Sequence, residues 1–268
     1  MGAVRIGISG WRYEGWRGVF YPKGLAHARE LEYASRQLPT IEINGTHYCL
    51  QRPECFDAWR EATPGGFVFA VKGSRFITHM KQLNDIERPL ANFFAQGVLA
   101  LGEKLGPLLW QFGPRFRFNP DKLEAFLDLL PRDTDAAEAL ARRRDARMHG
   151  RSRLKAAAPG LLRHAIEIRH GSFIDDQFRA MLRRQRVALV VADTAGKFPH
   201  MEESTADFMY LRLHGDTELY VSGYGDEALD TWAAKVRAWS KRGDVYCYFD
   251  NDAKVHAPFD ARRLIDRL

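Results

Sequence analysis

Three stretches of the chain place polar side chains two residues apart among aliphatic ones. Glu42 and Asn44 alternate with Ile41 and Ile43, Glu167 and Arg169 with Ile166 and Ile168, and Arg212 and His214 with Leu211 and Leu213. Successive strand residues point to opposite faces, so each polar pair shares one face and the aliphatics share the other. Lys72, Gln111 and Asp193 end further apolar runs, Ser9 and Trp11 share a parity, and Asp250-Asn251-Asp252 closes the last run. Lys72, Arg169 and Arg212 suit an anion: a guanidinium fork matches phosphate or carboxylate, and an ammonium adds a point charge. Glu42, Glu167, Asp193 and His214 are types that move protons, provided their surroundings separate their pKa values. The competing reading is a self-satisfied network in which Glu42 and Glu167 neutralise Arg169, Arg212 and Lys72. Charges left unpaired in an interior are costly, so they must pair, meet water or bind something.

The elements that would position these groups recur along the chain. Strand-like runs occupy Val4–Ser9, Thr40–Asn44, Phe67–Lys72, Pro107–Phe112, His164–Arg169, Val187–Ala192, Phe208–His214 and Val245–Asp250. Amphipathic segments lie between most of them: Leu123, Phe126, Leu127 and Leu130 mark one helical face in Asp121–Leu130. Leu229, Trp232, Val236 and Trp239 do the same in Asp226–Arg242, and Asp260–Leu268 carries Leu264, Ile265 and Leu268. Strand then helix, repeated eight times, predicts an α/β fold with one (β/α)8 TIM-type barrel domain over residues 1–268. Thr194–Ala206 shows no helix, and Pro131–Arg163 is long enough to add an Arg/Ala-rich helical insertion between the fourth and fifth strands. An open doubly wound sheet is the alternative, but no GxGxxG or P-loop pattern follows the first strand. In a barrel the polar pairs fall at the carboxyl ends of the strands, where such folds keep their sites.

The 268 residues carry 40 Lys+Arg against 34 Asp+Glu, a net +6, with 46% hydrophobic residues, which excludes collagen, coiled coil and wholly disordered classes. No run is long and apolar enough to span a membrane, and MGAVRIGISGW lacks a signal-peptide pattern. Cys49, Cys55 and Cys247 form no CxxC and cannot all pair, so a cytoplasmic location is expected. Much of the positive charge lies between Arg132 and Lys155. That segment, 142–155 above all, could contact phosphate, or it is a solvated Arg-rich helix.

The stretches GISGWRYEGWRGVFYP, IEINGTHY, FVFAVKGSRFITH, EIRHGSF, VVADTAG, YLRLHG and YFDND, in that order, resemble the YecE-like family, catalogued as domain of unknown function 72. The resemblance runs over essentially the whole chain and implies a TIM barrel, but supplies no reaction. It implies site positions at Trp11, Glu42, Asn44, Tyr48, Lys72, His79, Glu167, Arg169, His170, Asp193, Arg212, His214, Asn251 and Asp252. Gln111-Phe112-Gly113-Pro114-Arg115 stands where the family commonly reads F-Q-L-P-P, Gly171 and Phe173 replace a Pro and a Trp, and Asp250 replaces the first Asn of N-N-D.

These residues lead to an expected enzyme that binds an anionic, phosphorylated small-molecule substrate and carries out acid/base hydrolysis or lysis, with a phosphodiester as one candidate substrate. Glu42, Glu167, Asp193 and His214 would be catalytic. Trp11, Asn44, Tyr48, Lys72, His79, Gln111, Arg169, His170, Arg212, Asn251 and Asp252 would hold substrate. No cofactor is expected. A second version lets Glu42, Glu167, Asp193 and His214 hold a divalent metal, against which stand the nearby cations and the absence of HExxH or HxH spacing. A non-catalytic nucleic-acid-binding module is the alternative, with segment 142–155 on phosphates and Trp11, Trp16 and Tyr224 stacking on bases; barrel-rim packing is the plainer account of those aromatics. The loop around Gly10, Gly15 and Gly18 could form a lid or a phosphate cradle. A serine hydrolase is not expected, since G-x-S-x-G is absent.

Overall fold

Each apolar run becomes a strand with almost no wet residue, as expected where helices cover one face and a packed interior the other. The computed structural model describes all 268 residues. Its eight parallel strands close in sequence order into a barrel: β1 (Val4–Ser9), β2 (Thr40–Ile43), β3 (Val68–Lys72), β4 (Leu105–Gln111), β5 (His164–Glu167), β6 (Ala188–Asp193), β7 (Phe208–Leu213) and β8 (Asp244–Phe249). The helices are α1 (Glu30–Gln37), the single turn α2 (Gly45–Tyr48), α3 (Pro53–Ala62), α4 (Glu87–Ala95), α5 (Pro120–Leu129), α6 (Thr134–Arg142), α7 (Asp176–Arg184), α8 (Asp226–Ser240) and α9 (His256–Ile265). None is long and apolar enough to cross a membrane.

The chain divides into two compact units, Met1–Glu42 with Ala188–Leu268, and Ile43–Val187. In the first, β6, β7, β8, β1 and β2 ladder in parallel, and the register sets Ser9 beside Glu42 and Arg212 beside Tyr248. Helix α8 buries Leu229, Trp232 and Val236, while Trp239 is half-exposed. Helix α9 starts at His256 rather than Asp260 and ends at Ile265. Leu264 is buried in it, but Ile265 and Leu268 face solvent. The link from β6 to β7 is helix-free; Thr194 Oγ1 closes its turn by accepting from Phe198 N at 3.0 Å.

In the second unit, β3, β4 and β5 pair in parallel, with Gln111 opposite Glu167. Pro120 starts α5 behind the Asn119 cap, and Leu123, Phe126 and Leu127 point inward. Trp110 is fully buried, and its indole donates to His164 Nδ1 at 3.1 Å, while His164 Nε2 lies 2.7 Å from the Pro131 carbonyl. Burial pushes this imidazole down to about 3, so it is a neutral core histidine with both nitrogens engaged. The insertion between β4 and β5 is helical only over α6. Asp145 then caps a 3-10 turn, Ala146–Met148, and exchanges two hydrogen bonds with the Asn92 amide, at 2.8 and 3.0 Å.

Candidate functional site

Two clusters of polar side chains form at carboxyl ends of strands, one in each unit. In the first unit the centre is Glu42, which is completely buried. Its Oε1 accepts from Ser9 Oγ at 2.6 Å and Arg212 Nη2 at 2.8 Å; its Oε2 accepts from the Tyr210 hydroxyl at 2.6 Å and Arg212 Nε at 3.1 Å. The parallel register delivers the serine, and the two-residue period of β7 delivers Tyr210 and Arg212 on one face. Four donors on two oxygens fill the hydrogen-bonding capacity of the carboxylate. Arg212 Nη2 is shared further with Ser9 Oγ and Asp250 Oδ2, each at 2.9 Å, and Nη1 lies 3.4 Å from His214 Nε2. His214 is fully buried, its Nδ1 2.9 Å from the same Asp250 oxygen. Burial, followed by the charge of Glu42, holds the Tyr210 hydroxyl far above its ordinary pKa, so it stays a donor.

The rest of this unit's expected site residues are tied into the surrounding chain. The Asn251 amide is buried and donates to the Ser222 carbonyl and to Asp260, both at 2.9 Å. Asp193 is half-exposed; it accepts from the Tyr224 hydroxyl at 2.9 Å and Ala195 N at 3.4 Å, and burial raises its pKa. Asp252 is half-buried, and burial, then Asp250, pushes it up to about 6. The Gly/aromatic loop is packed down instead of forming a lid. Trp11, Trp16, Phe20 and Tyr21 are buried, Trp16 Nε1 donates to the Asp252 carbonyl at 3.3 Å, and the Tyr21 hydroxyl to the Trp11 carbonyl at 2.6 Å. Gly10 is required here: its φ is +88°, and a Cβ would stand 2.7 Å from the Tyr13 hydroxyl. Tyr224 is buried as well, so none of the three aromatics expected to stack on bases is displayed.

The second cluster is built differently. Glu167 is buried and accepts the Gln111 amide on both oxygens, at 2.8 and 2.9 Å, and Arg169 Nε at 2.9 Å. Lys72 ends β3, nearly buried, and Arg169 is about one-seventh exposed. The turn Phe76–Met80 after β3 brings His79, half-exposed, to these charges. Burial and then the charges of Lys72 and Arg169 hold His79 below its usual pKa, with Glu167 opposing. The Thr78 hydroxyl pairs with His79 Nδ1 at 2.8 Å, which leaves Nε2 for other partners. A Cβ on Gly113 would sit 2.8 Å from His79 Cδ2, so the glycine that departs from the family's usual loop makes the space this imidazole occupies.

Of the other residues expected in this unit, His170 caps the 3-10 turn Gly171–Phe173 by accepting from Ser172 N at 3.0 Å. Asn44 precedes α2, half-exposed, its carbonyl accepting from His47 N at 3.0 Å. Tyr48 is 63% exposed, with the Arg75 guanidinium 5.3 Å over its ring. The basic segment is largely ion-paired: Arg142 and Lys155 with Glu138, Arg143 with Glu87, Arg147 with Asp145, and Arg153 with Asp57. No three His, Cys, Asp or Glu side chains form a group that could hold a metal ion, so Glu42, Glu167, Asp193 and His214, the ligands of the second version, do not converge on one. Ser9, Tyr210 and Thr78 were not singled out as partners from sequence. The parity of Tyr210 with Arg212 is the signal that could have revealed one of them.

Comparison with known proteins supplies the family. A crystal structure of a DUF72 family protein from Thermotoga maritima MSB8 superposes with a TM-score of 0.78 at 25% identity, covering 98% of both chains. One from Enterococcus faecalis V583 gives 0.75 at 17% identity over 99% of this chain and 95% of that one, which shows the shared fold. The UPF0759 protein YecE of Escherichia coli (strain K12) is 30% identical over 132 residues, 48% of this chain and 44% of that protein, so the match spans less than half of its length. The model described as "Protein of unknown function DUF72" matches residues 5–268, and the chain belongs to that family.

Proposed function

We propose that the protein is an enzyme acting on a phosphorylated ligand through the Lys72–Arg169–His79 cluster. The observation that carries this reading is that three cations, Lys72, Arg169 and Arg75, act on one half-exposed imidazole, with Glu167, held by Arg169 at 2.9 Å, opposing them. Lys72 and Arg169 neutralise the phosphate, the guanidinium supplying the oriented donors. Glu167, fixed by Gln111, orients Arg169. The lowered pKa of His79 favours its neutral form, and with Thr78 on Nδ1 the other nitrogen, Nε2, is the one that takes a proton from an attacking hydroxyl or water. The proton passes next to the leaving oxygen, which completes hydrolysis or lysis of a phosphoester. Glu42, Arg212 and His214 support the fold in this reading.

The test is turnover of a phosphomonoester and phosphodiester panel, with thermal shift by the same compounds. His79→Asn should lower turnover by about 10²–10⁴-fold and keep the thermal shift, whereas Arg169→Gln should abolish the shift. A His79→Asn protein as active as the wild type, or a phosphate-induced shift that survives both Arg169→Gln and Lys72→Met, would overturn the reading.

A further inference from the structure

The second unit carries a groove of about 400 Å³ that none of the expected site residues except Tyr48 touches. Tyr48, Phe76, Ile77, Met148, Arg147 and Arg151 are among the side chains that line it. Its volume lies in the range of small-molecule sites. Two aromatic rings stand open there, Tyr48 at 63% exposure and Phe76 at 43%, whereas most aromatics in the molecule are buried. Met148 from the insertion packs beneath, held by the Asn92–Asp145 bonds, so the Arg-rich insertion serves as a wall. Arg147 is paired with Asp145, but Arg151 on the rim and Arg75 over Tyr48 have no carboxylate partner.

The groove adjoins the phosphate cluster. The Tyr48 ring lies 5.2 Å from that of His47, and His47 lies 5.2 Å from His79. Phe76 and Ile77 belong to the same turn as His79. Open aromatic faces flanked by guanidinium groups take flat heterocycles, because any base offers a π-face and a cation strengthens the stack. We propose that this groove is the base-binding half of the site, taking the planar ring of a nucleoside monophosphate whose phosphate lies at Lys72 and Arg169. This inference rests on the phosphate reading above and names its substrate class.

The experiment is calorimetric titration with AMP, ribose 5-phosphate and adenosine, on the wild type and on Phe76→Ala and Tyr48→Ala. Both replaced rings are exposed, so the fold should survive. Stacking predicts that AMP binds roughly five- to a hundredfold tighter than ribose 5-phosphate. Either alanine variant should remove most of that gap and leave ribose 5-phosphate unchanged. AMP should also protect exposed Cys49, which lines the groove, from alkylation, and ribose 5-phosphate should not. Equal binding of AMP and ribose 5-phosphate overturns the base site and leaves the phosphate reading standing. Adenosine that binds and protects Cys49 while neither phosphate gains affinity supports the groove and overturns the phosphate cluster. Binding of a single-stranded oligonucleotide alone, with AMP no better than ribose 5-phosphate, also overturns the proposal.

Discussion

The Glu42 cluster and the Glu167 cluster start from the same ingredients, a carboxylate and an arginine at strand ends, and reach opposite states. Glu42 receives four donors and is sealed from water, and Nη2 of its arginine is shared with Asp250. Glu167 is also held by one arginine, Arg169, but a single uncharged amide spans both of its oxygens, while Lys72 adds another positive charge beside His79. A closed ion pair fixes geometry; a cationic excess next to a half-exposed imidazole can receive an anion. Residue type alone does not separate the two cases; what differs is that a half-exposed imidazole stands beside the second cluster and a fully buried one beside the first.

The comparison breaks most visibly at Arg212. Arg212→Ala leaves Glu42 buried without its cation and should cost about 3–5 kcal/mol of stability in urea denaturation. Arg169→Ala should cost about 1–2 kcal/mol, because Gln111 still donates to both Glu167 oxygens. If both variants lose the same amount, the two clusters are not the different devices described above.

Gly113→Ala sharpens the contrast from the other side. The added methyl meets the His79 ring, so turnover should fall at least tenfold while stability changes by less than about 1 kcal/mol. A loss of stability with turnover intact would move His79 out of the reaction.

The smallest expected effect is one of pH, and its sign differs between the clusters. Asp252 titrates at about 6 in the folded chain against 3.8 when free, so between those values the folded state holds the extra proton. Acidification from pH 7 towards 5 therefore strengthens the fold through Asp252. His79 is lowered below 6.5, so on acidification the unfolded chain takes up its proton first and stability falls. Melting temperatures between pH 5 and 7.5 should show Asp252→Asn removing the first slope and His79→Asn the second. Unchanged profiles in both would remove the basis for either assignment.

Much of this was legible in the residues. The strands begin and end within about two residues of the apolar runs, because period-two burial leaves little freedom. The helix-free link after β6 was legible too, from the absence of any amphipathic face. Saturation of Glu42 was not, since it depends on the β1–β2 register and on Tyr210, which reads as one more buried aromatic. Arg212 looked like a ligand fork for the same reason: a guanidinium in sequence carries no sign of how many of its donors are already taken. Trp11, Trp16 and Tyr224 could be read as stacking surfaces or, more plainly, as rim packing, and all three are buried. The α9 start was missed because Val255, at φ +62°, turns the chain into the helix earlier than its apolar residues indicate.

The pairing of β1 with β8 has a consequence for how the chain is made. The strands that finish the first unit follow the whole second unit in synthesis, and Glu42 meets Arg212 only 170 residues later. At ribosomal rates of about 5–20 residues per second, Glu42 waits roughly 8–35 s for its partner. During that interval Glu42 is a carboxylate without its arginine in a short apolar strand, and a charge so placed opposes pairing with the wrong edge. The ion pair that locks the finished barrel thus begins as a gatekeeper charge on the nascent chain.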